Sequence, residues 1–334
     1  DIKKMNRTYP TILPRREPPI DHDEVTISLY ENEVPSFVSA ELDQLYENLF
    51  SSMTQFRVYG SVKDASTYLV RKNDKTITIF LFRQQGGRVD VINEVIRVEE
   101  QDVSRFAEYI FSTFKSVTII SFHAIQTDIR RLPFPYQRVN VLENIVLTLP
   151  KTADAYLASL GKATRKTIKG NMNKLKRNFP SFGYTVYTKD ELTERQIRDI
   201  IALNKARMAG KNKTSTYDEL ETARIAHLAK ECGLICIATI DGRICAGAIS
   251  FQIGQNYFMR INAHDPAYDG YRLGMLSGFL IISACIDRGG RECHLLWGQH
   301  EYKFRFLGVQ RDLDNLAIYR SHGHMLRNGG TALK

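Results

Sequence analysis

Four residues in the last quarter of the sequence could move protons: His264, His300, Glu301 and Tyr302. A histidine side chain titrates near neutral pH, so it can accept a proton from an ammonium group under physiological conditions. A carboxylate can also act as a base, and a tyrosine hydroxyl can donate a proton to a leaving group. These residue types predict general acid–base chemistry in this part of the chain.

Each of these residues also has a structural interpretation. His264 could fix the turn that precedes Pro266, and Tyr302 could be an aromatic residue of the core. A further histidine, His294, lies inside an apolar predicted strand, and we interpret it as a buried core residue. Both interpretations of His264 and Tyr302 stay open at this point.

A glycine-containing turn precedes a predicted helix, Tyr271–Arg288, and is suited to hold an anion. Free amide groups and the helix dipole favour a phosphate there. Glycines permit close backbone approach, and an arginine adds a charged contact. The predicted ligand-binding residues are Gly270, Arg272, Leu273, Gly274, Met275, Leu276 and Lys303. The alternatives are that the glycines serve turn and packing geometry, and that Lys303 meets an acidic acceptor or only solvent.

The order of predicted elements divides the chain into two halves. Each half reads as helix, antiparallel strands, helix and strand, which suggests a duplication. We predict an extended arm (1–23), a first half (24–145), a second half (146–322) and a flexible tail (323–334). In the first half, the place that corresponds to the glycine turn has no glycine and three carboxylates, which would repel a phosphate. The first half is therefore expected to be structural or to lie on the acceptor side.

Two long helices are predicted from apolar residues spaced three or four apart, Glu41–Met53 and Thr152–Phe179. The second carries seven cations with no acid among them: Lys162, Arg165, Lys166, Lys169, Lys174, Lys176 and Arg177. Together with the net charge of +9, this run favours a polyanionic partner. The alternative is a solvated helix face.

Composition excludes several classes of protein. Five cysteines, an odd number in apolar segments, predict reduced and buried thiols rather than a disulfide framework. Cys232 and Cys236 lack the spacing and histidine partners of a zinc site, so no metal is predicted. The longest apolar stretches are well short of the roughly 18 to 20 residues that cross a bilayer. We therefore predict a soluble, cytoplasmic protein without a membrane span.

Two stretches, Tyr271–Leu276 and Trp297–Phe304, resemble the GNAT acetyltransferases of cellulose and exopolysaccharide biosynthesis. The basic segment Tyr156–Arg177 is similar to the first helix of that family. The resemblance extends to Fem-type aminoacyl-tRNA-dependent peptidyltransferases, which are built from two GNAT-like halves. At two positions this chain departs from the family: Leu273 stands where proline is common, and His294 where an acid is common.

The resemblance implies an α/β (α+β) fold of tandem GNAT-like domains, each a mixed, mostly antiparallel sheet flanked by helices. The first half would be a degenerate domain and the second an acyltransferase domain. Acetyl-CoA, another acyl-CoA or an acidic acyl carrier protein would be the donor, and an amino sugar, amino acid or small metabolite the amine acceptor. Two alternatives remain: transfer from aminoacyl-tRNA in the Fem manner, and an inactive binding or scaffold module.

Overall fold

The computed structural model describes residues 25–328 and residue 330. The predicted arm over residues 1–23 lies outside the described residues. Within them, one 12-stranded sheet carries helices on both faces. No helix in this part of the chain is long and apolar enough to cross a membrane.

The helices and strands alternate in the order expected for a mixed fold. The first half contains β1 (Val25–Tyr30), α1 (Val38–Tyr46), α2 (Met53–Tyr59), β2 (Ser66–Lys72), β3 (Lys75–Gln85), β4 (Arg88–Val91), α3 (Glu100–Thr113), β5 (Ile119–Ile125) and β6 (Tyr136–Thr148). The second half contains α4 (Ala153–Ser159), α5 (Lys162–Asn178), β7 (Gly183–Thr188), α6 (Glu194–Ala209), α7 (Glu219–Cys232), β8 (Gly233–Ile240), β9 (Arg243–Ile253), β10 (Asn256–His264), α8 (Leu273–Asp287), β11 (Glu292–Leu296), α9 (Glu301–Arg305), β12 (Val309–Tyr319) and α10 (His322–Asn328).

The strand order of the sheet is symmetric about its centre. It runs β1-β2-β3-β4-β5-β12-β6-β11-β10-β9-β8-β7. The β4–β5 and β10–β11 pairs are parallel, and each is connected through one helix, α3 or α8. All other neighbours are antiparallel. This order confirms that the chain is built from two copies of one arrangement.

The two halves exchange their last strands. β12, from the end of the chain, lies between β5 and β6, while β6 lies between β12 and β11. Each half therefore completes its sheet with a strand from the other. The predicted boundary between residues 145 and 146 falls inside β6.

Alternating side chains of the strands form separate cores on the two faces. In β8, Leu234, Cys236 and Ala238 pack towards α5 and α8, while Ile235 and Ile237 pack towards α6 and α7. This is the period-two alternation of a strand covered on both faces. The five cysteines are free thiols, four of them buried, as predicted.

Three predicted elements differ from the structure. The predicted helix Glu41–Met53 is broken at Glu47, which has a φ of 44°, and α2 starts anew after Ser52, whose side chain accepts a hydrogen bond from the Gln55 N–H. The predicted helix Thr152–Phe179 is broken at Leu160, where the backbone is extended. The helical spacing of apolar residues continues through both breaks, so this spacing does not reveal that either helix is interrupted. Residues 323–328 of the predicted flexible tail (323–334) belong to α10, while residues 329 and 331–334 of that tail lie outside the described residues.

Candidate active site

The predicted anion-binding turn lies at the start of α8. The residue before the helix, Arg272, has a φ of 52°, and its N–H donates to the Asp269 carbonyl oxygen at 3.1 Å. The next two amides, those of Leu273 and Gly274, have no acceptor among the described residues. Those of Met275 and Leu276 donate to the Arg272 carbonyl oxygen. Two N–H groups are thus left for an anion at the positive end of a helix dipole.

The side chains of this turn have different surroundings. Leu273 and Leu276 are buried in the core beneath α8, so only their backbone could meet a ligand. Arg272 is exposed and makes no ion pair among the described residues. Gly270 is also exposed, and a Cβ there would meet nothing within 4 Å. Its glycine character is therefore not required by packing.

Gly274 is required because His264 lies against it. A Cβ at position 274 would lie 2.9 Å from His264 Nδ1. The other ring nitrogen, Nε2, is 2.8 Å from Asp269 Oδ1, which holds the imidazole beside the helix start. Nδ1 is buried and has no hydrogen-bond partner among the described residues. The turn thus offers two free amides to an anionic group, and the His264 ring leaves room only for glycine at position 274.

The two parallel strands of the second half separate above this turn. β10 and β11 pair only from Asn256 to Phe258 and from Glu292 to His294. Beyond that point β10 contains a bulge between Met259 and Ile261. The later part of β10 is therefore not hydrogen-bonded to β11, and its edge is available to an extended ligand.

The bulge is held in place by residues of α7 and the loop before it. The hydroxyl of Tyr217 donates to the carbonyl oxygen of the bulged residue, Arg260, at 3.1 Å. The guanidinium of Arg260 donates to Glu221 at 2.9 Å, and the same carboxylate accepts from Tyr59 of the first half at 2.7 Å. Both halves thus contribute to the geometry of this strand.

His300 and Tyr302 lie together at the start of α9. Their rings are parallel within 12°, with centroids 6.0 Å apart. Burial, helped by the cations of Lys303, Lys213 and Arg207, lowers the pKa of His300 below its ordinary value. Burial raises the pKa of Tyr302. At neutral pH the first is therefore ready to accept a proton and the second retains one to donate.

The two remaining predicted residues of this segment have other roles. Glu301 is exposed, and its carboxylate pairs with Arg305 at 2.7 Å on the helix surface. Lys303 is only 2% exposed, and its ammonium donates to the carbonyl oxygens of Leu296 and Trp297. Burial lowers its pKa to about 8. Lys303 supports the end of β11 and is unsuited to contact a bound phosphate.

The predicted site residues therefore form two groups. Residues 270–276 and His264 lie together at the start of α8, whereas His300 and Tyr302 lie on α9. The helices are in contact, since a Cβ at Gly278 of α8 would meet the Phe306 ring at 2.8 Å, and Phe306 is in ring contact with Tyr302.

The cationic helix α5 borders the first group. Lys174 lies over the ring of Tyr271 at 4.6 Å, and Asn178 donates to the Tyr271 hydroxyl at 3.0 Å. None of the seven cations predicted for this helix is paired with a carboxylate among the described residues. The cationic helix α5 thus contacts the segment that leads into α8.

Sequence reasoning missed Arg207, Tyr217 and Glu143. Glu143 accepts a hydrogen bond from the Gly298 N–H at 3.1 Å, next to His300. Glu143 is the single carboxylate of strand β6, which was a usable signal. The other two have none, because only the fold brings the end of α6 and the loop after it beside α9.

Comparison with known proteins gives one matching family model. Residues 162–304 match the family model described as "Acetyltransferase (GNAT) domain". No curated protein matches the sequence significantly.

Solved structures share the fold of nearly the whole chain. FemX is 7% identical, with a TM-score of 0.64, and the match covers 92% of this chain and 100% of FemX. A conserved protein of unknown function from Bacteroides thetaiotaomicron VPI-5482 is 11% identical, with a TM-score of 0.56 over 87% and 99% of the chains. L-PGS from Bacillus licheniformis is 13% identical, with a TM-score of 0.53 over 89% and 94%.

At these identities, the structural matches show the fold. They confirm a mixed, mostly antiparallel sheet flanked by helices in tandem GNAT-like halves. The closer resemblance to cellulose and exopolysaccharide acetyltransferases stays a prediction. Residues 162–304 therefore match a GNAT acetyltransferase domain, within a chain that shares the FemX fold over nearly its full length.

Proposed function

We propose that the second half is an N-acyltransferase, which moves an acyl group, acetyl in particular, from acyl-CoA or an acyl carrier protein to an amine. The start of α8 is the observation that carries this proposal. It offers two free amides, directly after a strand whose edge has separated from its neighbour. A phosphate bound there would direct the thioester arm along β10 towards α9.

The residues of α9 supply the proton transfers. The amine nitrogen forms a bond to the thioester carbonyl carbon, and the carbon–sulfur bond breaks. His300 accepts the proton that the ammonium loses, since its lowered pKa keeps it neutral. Tyr302 donates a proton to the departing thiolate. Amides of β10 beyond Phe258 are placed to stabilise the carbonyl oxygen.

Thiol release tests the proposal. Acetyl-CoA is incubated with the protein and a panel of amino sugars, amino acids and small amines, and free thiol is measured. We expect release that requires both acetyl-CoA and one class of amine. No turnover with any acceptor, combined with no shift of the melting temperature by CoA, would leave a binding or scaffold role.

The surface of α5 favours a second candidate, transfer from aminoacyl-tRNA. Seven cations without carboxylate partners, next to the donor turn, suit the phosphates of an RNA. The fold shared with FemX fits the Fem-type resemblance noted above. In this reaction the bond broken is the ester of the aminoacyl group, and the same two residues of α9 would move the protons.

Charge reversal on α5 separates the two donors. The triple variant Lys166→Glu, Lys169→Glu, Lys174→Glu is compared with a matched variant in the first half, Lys63→Glu, Lys75→Glu, Lys115→Glu, all six residues being exposed. If RNA is the donor, tRNA affinity falls by about 100-fold or more in the first variant only, and its salt dependence becomes shallower. If acetyl-CoA is the donor, thiol release changes less than about tenfold.

A further inference from the structure

The last turn of α6 and the loop after it lie beside the open part of β10, on which α6 packs. Asn204 of α6 accepts a hydrogen bond from the Ser215 hydroxyl at 3.2 Å, and the Tyr217 hydroxyl donates to the Arg260 carbonyl oxygen at 3.1 Å. Arg207 is three residues beyond Asn204, so it lies on the same face of the helix. Burial raises the pKa of Tyr217, and the charge of Arg207 opposes that rise. The guanidinium of Arg207 is therefore near the bulge of β10.

The same guanidinium acts on both residues proposed for the proton transfers. Burial raises the pKa of Tyr302, and the charge of Arg207 opposes that rise. Burial lowers the pKa of His300, and the charged groups that lower it further are all cations, Arg207 among them. Charges act on one another most strongly at short range. Arg207 thus lies between the bulge of β10 and the start of α9.

The helix that carries Arg207 lies on the opposite face of the sheet from the donor turn. Leu203 of α6 and Trp297 pack in the core beneath α6 and α7, while Leu273 and Leu276 pack in the core beneath α8. Arg207 therefore reaches the proposed site of reaction from the face that does not carry the donor turn. An anion held by this guanidinium would belong to the acceptor rather than to the donor.

The cations of this segment have no carboxylate partner among the described residues. Arg207 is partly buried, and its Nε atom is buried without a hydrogen-bond partner in this part of the chain. Lys211 and Lys213, in the loop after α6, are exposed and also unpaired. The carboxylate that holds the bulge, Glu221, is already paired with Arg260 at 2.9 Å. A buried donor is costly when it has no acceptor, so the guanidinium favours the oxygen atoms of a bound anion.

We propose that the amine acceptor carries an anionic group, a carboxylate or a phosphate, and that the guanidinium of Arg207 binds this group from the α6 face. This site rests on the acyl transfer proposed above and narrows its acceptor to amines such as amino acids and phosphorylated amino sugars. Two parallel hydrogen bonds from one guanidinium fit either anion. Lys211 and Lys213 attract the approaching acceptor, and their flexible side chains do not fix its position.

Matched pairs of amines test the requirement for an anion. Thiol release from acetyl-CoA is measured with alanine, phenylalanine and lysine, each beside its amide, and with glucosamine-6-phosphate beside glucosamine. We expect one anionic class to react with a kcat/KM at least about 100-fold above that of its neutral partner. A preference confined to the amino acids identifies a carboxylate, and one confined to the sugar identifies a phosphate. Amidation makes the amine of an amino acid easier to deprotonate, so reactivity alone would favour the neutral member.

Arg207→Gln tests the residue itself. KM for the preferred anionic amine should rise by about 30-fold or more, while kcat and KM for acetyl-CoA change less than about threefold. The slow reaction of the neutral partner should not change, which damage to the fold would not allow. Arg207→Lys should recover part of the loss, because an ammonium keeps the charge without the paired hydrogen bonds. The control, Arg195→Gln, at an exposed arginine near the start of the same helix, should match the wild type.

Calorimetric titration with the same amines, in the presence of CoA, separates the anion site from the acyl transfer. Binding of the anionic amines that is lost in Arg207→Gln, without thiol release, would uphold the site and overturn the transfer. Thiol release with equal or better use of the neutral amines, or an unchanged KM in Arg207→Gln, would overturn the site alone. Neither binding nor release with any amine would overturn both. If Arg207→Gln fails to fold, the matched pairs decide on the wild-type protein.

Discussion

The two halves start their crossover helices in opposite ways. In the first turn of α3 stand Glu100 and Asp102, and Glu100 accepts from the N–H groups of Arg130 and Arg131 at 3.1 and 3.0 Å. These amides lower the pKa of Glu100. The first turn of α8 has no acid and leaves two amides free. One helix start therefore carries its own anions, and the other is suited to receive one.

The strands beside these helices also differ between the two halves, in whether the gap at the strand ends is closed. In the first half the gap after β4 is closed by Val95–Val98 against the end of β5. In the second half β10 and β11 stay apart beyond Phe258. The same strand order thus occurs with two different strand-end geometries. Under the proposed function, side chains and one short backbone segment, rather than topology, decide which half binds a donor.

The largest effect is expected from a substitution that removes the difference between the starts of α3 and α8. Gly274→Glu places bulk where the ring of His264 lies 2.9 Å away, and a negative charge where the donor phosphate would bind. We expect donor affinity to fall by about 100-fold or more. Isothermal titration with CoA measures it.

The matched control is Gln101→Glu, at the second residue of α3, as Gly274 is the second residue of α8. Because that helix already carries carboxylates, CoA affinity should not change. Equal losses in both variants would mean that the donor does not distinguish the two helix starts.

Tyr302→Phe should produce the next largest effect, on turnover. Removing the hydroxyl removes the proton for the leaving group, so kcat should fall by about 100-fold, while KM for the donor changes little. Tyr184→Phe, at an exposed tyrosine of β7, serves as the control. Wild-type turnover in the first variant would exclude Tyr302 from the reaction.

The smallest effect is expected in the pH dependence of kcat/KM, through His300. His300 must be neutral to act as a base, so activity should be full above its pKa and fall as pH drops through it. Because its pKa is lowered, the acidic limb of kcat/KM should lie below about 6.5. His300→Gln should abolish that limb and reduce the rate at neutral pH by about tenfold. An unchanged pH profile in this variant would assign the limb to another group.

Local sequence signals were enough to find the two halves and the turn before α8, whose role in donor binding stays a prediction. Apolar periodicity placed most helices and strands within a few residues, and the glycine at 274 marked a close approach that the structure shows against His264. The contrast with the carboxylates of α3 was also visible from residue types alone. These features depend on neighbours in the chain.

The remainder depends on contacts between distant residues. Lys303 looked like a surface cation, yet the fold buries it against the carbonyls at the end of β11. The last turn of α6 carries Arg207 to the site, 95 positions before Tyr302 in the numbering, and no local sequence pattern predicts this. The exchange of β6 and β12 likewise joins segments that are far apart, so it could not be read from periodicity.

The strand exchange has a consequence for biosynthesis. β5 pairs with β4 on one side and obtains its second neighbour only from β12, where Ile119 pairs with Tyr319. During translation the first half must therefore wait, with one unpaired edge, until β12 has left the ribosome. An exposed edge of this kind is a place where nascent chains aggregate. Maturation of this protein should consequently depend on chaperone protection until β12 has been synthesised.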